Sequence, residues 1–169
     1  MEASIEEQPK RIVDTQTFLP VLIDLVREGH TVALTITGHS MTPFLVHGRD
    51  QIRFCRPDHP LKRGDMAFFR RRNGAYVMHR ICRVDGEGRY YLVGDEQTVI
   101  EGPILPEQVF GVVTQVFRKG RWIGPGDFWW DFFAGPWLTL LPLRPMLRRV
   151  YGLFARMKRG EAVHADRKG

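Results

Sequence analysis

The chain has 169 residues, of which 43% are hydrophobic and 26% are charged. This length and apolar content suit one hydrophobic core and are too small for two full domains. The formal net charge is +6, but residues 144–169 carry eight Lys or Arg and two Asp or Glu, so residues 1–143 are neutral. A nucleic-acid-binding protein needs a basic face on its folded body, and the sequence predicts none.

Cysteine content and the N-terminus indicate the cellular compartment. Cys55 and Cys82 form neither a disulfide framework nor a Cys-x-x-Cys metal motif. We expect two reduced, half-buried thiols, although neighbouring positions on adjacent strands would allow one bridge in an oxidising compartment. Residues 1–9 contain three glutamates and no apolar run, unlike a signal peptide, so we expect a cytoplasmic protein.

A helix is predicted near the N-terminus, from Asp14 or Thr15 to Gly29. Capping residues open this stretch, glycine closes it, and apolar residues recur within it at helical spacing. Pro20 predicts that the regular part of the helix begins late. Residues 1–30 are therefore assigned to an N-terminal segment containing one helix.

A series of short strands follows the helix. Residues 31–37 are β-branched and alternating, which predicts a strand. Further strands are predicted at about 50–55, 66–72, 75–84, 89–93, 109–117 and 121–123. Asn73-Gly74, between two alternating runs, predicts a hairpin. Because no helix interrupts these strands, residues 31–123 are predicted to form a mainly β domain with a coiled antiparallel sheet.

The composition changes at residues 124–126, where Gly-Pro-Gly opens a C-terminal tail, residues 124–169. Residues 128–143 are rich in aromatic and apolar groups but are too short and too interrupted for an ordinary spanning helix. We interpret residues 128–159 as an aromatic, basic segment that contacts a membrane surface. Two alternatives remain: the rings pack over a sheet edge, or the tail spans the membrane with the β domain outside.

Three short runs supply groups for chemistry. Ser40 follows the first predicted strand, and a serine hydroxyl becomes nucleophilic only with a proton acceptor nearby. His79 lies on a predicted strand among apolar neighbours that should keep its ring neutral, although a lone histidine there is more often a satisfied half-buried residue. A carboxylate that fixes the histidine tautomer is available from Asp95 or Glu101, and spacing does not choose between them.

The other histidines are poorer candidates. His39 neighbours Ser40, but in an extended segment its side chain should point away from that of the serine. The remaining histidines show no ligand spacing and are expected in turns or the tail: His30, His47, His59 and His164. We therefore predict no metal site and no cofactor.

Residues 40–45, Ser-Met-Thr-Pro-Phe-Leu, resemble the Ser-Met-x-Pro-x-Leu box of type I signal peptidases. That serine-peptidase superfamily also includes the LexA-type self-cleaving repressors. Four further stretches resemble its other boxes: Gly64-Asp65, residues 78–81, Gly94-Asp95 and residues 109–113. The resemblance covers residues 31–123 and implies a serine endopeptidase that acts on an extended peptide or precursor segment with small residues on its acyl side.

The resemblance also implies residue roles. His79 stands where the histidine branch of the superfamily has its general base, with Ser40 as nucleophile. The carboxylate of that branch lies six residues after the aspartate of the Gly-Asp box, which is Glu101 here, a departure from aspartate. Asp95 matches the box aspartate and is expected to support the site, with a smaller chance of contacting the base directly.

The oxyanion hole departs from the lysine branch of the superfamily. Many members of that branch have a serine two residues before the nucleophile, where this chain has Gly38. The backbone N–H groups of Ser40 and Met41 are therefore expected to stabilise the oxyanion.

Two other functions compete with peptide processing. A LexA-like module would cleave its own chain once, and Ala134-Gly135 is a suitable dipeptide, although no helix-turn-helix domain is predicted before the sheet and no lysine occupies the base position. A non-catalytic module would bind extended peptides without cutting them. Because no N-terminal anchor is predicted, we expect the protein in the cytoplasm at the membrane surface.

Overall fold

The computed structural model describes residues 15–146, with side chains from residue 18 onward. Predictions for residues 1–14 and 147–169 lie outside the described residues. One helix, α1 (Thr15–Arg27), precedes eight strands. The strands are β1 (Val32–Thr35), β2 (Gln51–Cys55), β3 (Met66–Arg70), β4 (Tyr76–Val84), β5 (Tyr90–Val93), β6 (Glu101–Ile104), β7 (Val109–Arg118) and β8 (Arg121–Ile123). Two short helices follow, α2 (Phe128–Ala134) and α3 (Pro136–Thr139), and single 3-10 turns lie at Pro106–Gln108 and Leu141–Leu143.

All eight strands belong to one antiparallel sheet. Their order is β1-β2-β7-β3-β4-β5-β6, with β8 paired to β7. The ladder shifts register at Arg53/Phe54 on β2 and at Phe68/Phe69 on β3, and such bulges bend a strand and increase its twist. The predicted fold class, mainly β with an antiparallel sheet and an N-terminal helix, is confirmed.

Helix α1 begins at Thr15, as predicted, but its regular part starts earlier than predicted. It is regular from Thr15 and contains Pro20, so the expected late start is wrong. Pro20 lies in the second turn, where its ring disturbs only the hydrogen bond to residue 16, close to the free N-terminal end. The helix packs on the sheet through a face that includes Ile23 and Val26, both buried.

One strand was not predicted. The sequence predicted no strand between residues 93 and 109, but Glu101 opens β6, which pairs with β5 through Leu92↔Glu101 and Tyr90↔Ile104. Gly102 and Pro103 are unusual in strands, and proline is tolerated here because β6 lies at the edge of the sheet. The strand fixes the position of Glu101 relative to β4 and β5.

Much of the aromatic segment packs against the β domain. Trp130 and Phe133 of α2 are buried, and both rings contact Phe44, which follows the Ser40 turn. Phe128 and Trp129, by contrast, are 70% and 42% exposed. Among residues 15–146, no helix combines the length and the apolar character needed to cross a bilayer. Cys55 and Cys82 are free, half-buried thiols.

Candidate active site

Ser40 sits in a tight turn after β1. The turn is entered through Gly38, whose φ of +89° lies in the left-handed region that favours glycine. The N–H of Gly38 donates to Nδ1 of His47 at 3.0 Å. Immediately after Ser40 the chain enters the core, where Phe44 and Leu45 are fully buried. Ser40 is thus a half-buried residue on a turn that is anchored on both sides.

The turn that follows β5 contacts the backbone of Ser40 closely. The N–H of Glu96 donates to the Ser40 carbonyl at 3.0 Å. A Cβ at Gly94 would lie 2.5 Å from the same carbonyl oxygen, so only glycine allows this close approach. The Gly-Asp box therefore contributes a backbone contact that positions the Ser40 turn.

The turn after β5 is also bound by the C-terminal segment, the described residues that follow β8 (124–146). Arg144 is 1% exposed, and its Nη1 donates to the carbonyls of Gly94 at 2.9 Å and Gln97 at 2.8 Å. Trp137 donates its indole N–H to the Asp95 carbonyl at 2.9 Å. Neither residue was predicted from the sequence to belong to the site; the only signal was an arginine at the end of a strongly apolar run.

Asp95 and Arg80 form an ion pair that is inaccessible to solvent. Nε and Nη2 of Arg80 donate to the two carboxylate oxygens at 3.0 and 2.9 Å, and Nη1 donates to the Gly64 carbonyl at 3.0 Å. Arg80 thereby connects three of the sequence boxes. Both Asp95 oxygens face Arg80, and the contacts within the described residues include none between Asp95 and His79.

His79 lies on β4, and its side chain is only 3% exposed. Its Nδ1 is 3.6 Å from Oε2 of Glu101, which is too long for a hydrogen bond. Within residues 15–146 this buried Nδ1 has no hydrogen-bond partner. Burial lowers the pKa of His79 from 6.5 to about 4, while Glu101 opposes and Arg71 reinforces this shift. The imidazole is therefore neutral near pH 7, the form that accepts a proton.

Arg71 binds the carboxylate that faces His79. Its Nε and Nη2 donate to the two oxygens of Glu101 at 2.5 and 2.6 Å, a bidentate pair that raises the pKa of Arg71. Oε2 of Glu101 thus lies between Arg71 and His79. Arg71 was not predicted from the sequence as a site residue, although the run of three arginines at residues 70–72 was a visible signal.

Ser40 and His79 line the same cavity, whose volume is about 280 Å³. Apolar walls come from β1 and β3, including Leu34 and Phe68. The N–H groups of Ser40 and Met41, both residues of the cavity lining, donate to no other group in the described part of the chain. His39 lies against His47, with ring centroids 5.2 Å apart, and does not line the cavity.

No group of three or more His, Cys, Asp or Glu side chains that could hold a metal ion occurs within residues 15–146. The structure thus places Ser40 and His79 in the lining of one cavity and sets Glu101, which does not line it, 3.6 Å from His79. Asp95 lies in the turn after β5, where its carboxylate pairs with Arg80 and its carbonyl accepts from Trp137.

A comparison with protein-family models matches residues 3–116 to a family described as Peptidase S24-like. The matched range includes Ser40, His79, Asp95 and Glu101. Comparisons with curated proteins and with solved structures gave no match. Since the family model covers well over half of the 169 residues, the chain belongs to the Peptidase S24-like family, in the superfamily of LexA-like and signal-peptidase-like serine peptidases.

Proposed function

We propose that this protein is a serine endopeptidase in which Ser40 is the nucleophile and His79 the general base. The observation that carries this proposal is one cavity that contains both a serine and a buried, neutral imidazole. The serine oxygen attacks the scissile carbonyl while His79 takes its proton, and His79 then gives that proton to the leaving amine. Water hydrolyses the resulting acyl-enzyme by the same two steps.

Glu101 is the group that orients the base in this proposal. With a proton on Nδ1 directed at Glu101, the other ring nitrogen, Nε2, accepts the proton of Ser40. The gap of 3.6 Å between Nδ1 and Oε2 is closed by a small rotation of the glutamate side chain, and catalytic hydrogen bonds often tighten only when substrate binds. Glu101 then stabilises the imidazolium that forms during acylation.

The free N–H groups of Ser40 and Met41 are the proposed oxyanion donors. Backbone donors in a rigid turn need no reorganisation during the reaction, and losing one such donor typically costs about 3–4 kcal/mol of barrier. Gly38, which stands two residues before Ser40, offers no side chain for this purpose.

The substrate is proposed to be an extended peptide with a small side chain on the acyl side, as in signal-peptidase-like processing. A volume of about 280 Å³ with apolar walls suits a small side chain together with the reacting backbone. A bulky acyl-side residue would compete with the peptide backbone for this space.

The test is cleavage of an unbiased peptide library, read by mass spectrometry. We expect products that disappear in Ser40→Ala and His79→Ala and persist in the control His39→Ala, whose ring lies outside the cavity. An absence of any Ser40-dependent product would refute the proposal. A peptide bound equally by wild type and His79→Ala, with no product, would instead favour a non-catalytic binding module.

Self-cleavage at Ala134-Gly135 is disfavoured by the position of this dipeptide. Ala134 ends α2, and the N–H of Gly135 donates to the Asp131 carbonyl at 3.0 Å. Ala134 also packs closely on Gly64. A helical, half-buried peptide bond does not present the extended backbone that a serine peptidase attacks. Mass spectrometry of the long-incubated chain should therefore find it intact at this bond.

We also propose that Phe128 and Trp129 contact an anionic membrane surface. Both rings are exposed, and Nζ of Lys119 lies 5.8 Å from the Trp129 ring, which places a cation beside the aromatic pair. Cosedimentation with vesicles containing anionic lipid should weaken in the Phe128→Ala/Trp129→Ala double variant. It should not weaken in Phe18→Ala, which removes another exposed ring. Equal binding by all three proteins would contradict this proposal.

A further inference from the structure

We infer that a second groove beside the active-site cavity binds an acidic side chain of the substrate, an inference that rests on the proposed peptidase function. The groove has a volume of about 700 Å³ and lies between α1 and the β3–β4 hairpin. Four arginines line it: Arg27, Arg70, Arg71 and Arg72. The inference therefore concerns charge selectivity at a position remote from the scissile bond.

The groove keeps a positive excess after its internal pairs are taken into account. Arg27 pairs with Asp24 at 3.2 Å, and Arg71 pairs with Glu101 at 2.5 Å. Glu107 is the other carboxylate in the lining. Two arginines without a carboxylate partner, Arg70 and Arg72, thus remain in the lining against one carboxylate, that of Glu107.

Neither of these two cations is committed to a carboxylate. Arg70 lies over the Tyr76 ring, with its guanidinium carbon 5.6 Å from the ring centroid. Within residues 15–146, the salt bridges include no partner for Arg70 or Arg72. A guanidinium without a carboxylate partner is well suited to bind one from a ligand, because its planar donors match both carboxylate oxygens.

The groove adjoins the active-site cavity. Arg71 and Tyr76 line both the groove and the cavity of Ser40 and His79. In the inferred binding mode, an extended peptide that fills the cavity runs past Arg71 into the groove. Because successive side chains of an extended peptide point to opposite sides, one or two positions on one side of the scissile bond should meet the arginines. The occupant that fits both the charge and the position of the groove is a Glu or Asp side chain of the substrate.

The first experiment measures binding separately from cleavage. Fluorescently labelled peptides that differ only in one Glu or Lys, moved along a small-residue sequence, are titrated into Ser40→Ala. At one or two neighbouring positions, the Glu peptide should bind about three- to tenfold more tightly than the Lys peptide, as expected for exposed ion pairs. The preference should decrease as salt is added, because exposed charges are screened.

Charge reversal identifies the groove as the cause of the preference. Arg72→Glu in the Ser40→Ala background should abolish or invert it. The matched control Arg83→Glu should leave it unchanged, because Arg83 is exposed on β4, stacks on Tyr91 and does not line the groove. Circular dichroism checks that each variant is folded.

Cleavage by proteins that retain Ser40 separates the two proposals. Cleavage without a Glu preference, or with a preference that persists in Arg72→Glu, would refute the proposed role of the groove and would support the peptidase function. Selective binding that depends on Arg72, with no cleavage, would refute the peptidase function and would support the proposed role of the groove. Absence of binding by every peptide, or displacement of the Glu peptide by a short single-stranded oligonucleotide that binds more tightly, would also overturn the groove.

Discussion

Burial of a neutral His79 should make the stability of the protein depend on pH in a defined window. The folded state holds the pKa of this ring at about 4, against an ordinary value of 6.5. Between these two values the unfolded chain binds a proton that the folded chain does not, so stability decreases as pH falls. The contribution is complete above pH 6.5 and is lost as pH falls through about 4. At about 1.4 kcal/mol per pH unit, the total is about 3 kcal/mol.

The measurement compares urea unfolding of Ser40→Ala and Ser40→Ala/His79→Gln, followed by circular dichroism at several pH values from neutral to about pH 4. We expect the protein with His79 to lose about 3 kcal/mol more free energy of unfolding across this range than the His79→Gln protein, because an uncharged amide takes up no proton. Replacing His30, whose side chain is 64% exposed, by glutamine should have no comparable effect. A difference that stays constant with pH would refute the reasoning. The same pKa predicts that the acid limb of the pH profile of kcat/KM lies at a pH lower than 6.5, the value expected for an ordinary histidine.

Other predictions concern the groups around the base and the turn. Arg80→Met and Asp95→Asn should each lower the free energy of unfolding by about 3–5 kcal/mol in urea titrations. The double variant should lose less than the sum of the two single losses. Single losses below about 1 kcal/mol would contradict a buried ion pair. Glu101→Gln should lower kcat for peptide cleavage by about 10²–10⁴-fold with little change in KM, so an unchanged kcat would exclude its orienting role. Arg144→Met should cost about 2–4 kcal/mol and speed hydrogen exchange at the Glu96 N–H, whereas unchanged exchange would separate Arg144 from the turn.

The strands could be predicted from the sequence because alternation and turn residues are local signals. Seven of the eight strands occur close to the predicted positions. The exception, β6, contains Gly102 and Pro103, and only its place at the sheet edge makes these residues acceptable. Edge position is a property of the completed sheet, so no local pattern reports it. The same omission left the position of Glu101 relative to His79 open.

The site could be predicted only where its chemistry was carried by short runs. Ser40 and His79 were predicted as candidate residues because each lies in a recognisable box. Arg71 and Arg80 were missed, because their roles depend on carboxylates that are distant in the sequence. Arg80 nevertheless left a signal: an arginine between His79 and Ile81 on an apolar strand needs a partner when that strand is covered on both faces.

The aromatic segment shows why composition alone does not determine placement. Rings and basic residues in one stretch are typical of both an interfacial helix and a helix packed on a sheet. Trp130 and Phe133 are three residues apart on α2, so they share one helical face, and that face meets Phe44. Phe128 and Trp129 lie off this face and stay exposed. The choice between the two placements required a partner surface, which the three-dimensional structure supplies.

The C-terminal segment is more than an appendage to the β domain, although the family match ends at residue 116. Arg144 donates to the carbonyls of Gly94 and Gln97, and the intervening Glu96 N–H holds the carbonyl of Ser40. Burial lowers the pKa of Arg144, and the nearby charge of Asp95 opposes that shift, so the buried guanidinium is compensated by a carboxylate that also binds Arg80. A chain ending at residue 123 would leave these carbonyls without their donors. The position of Ser40, the proposed nucleophile, therefore depends on a segment that lies outside the matched family region.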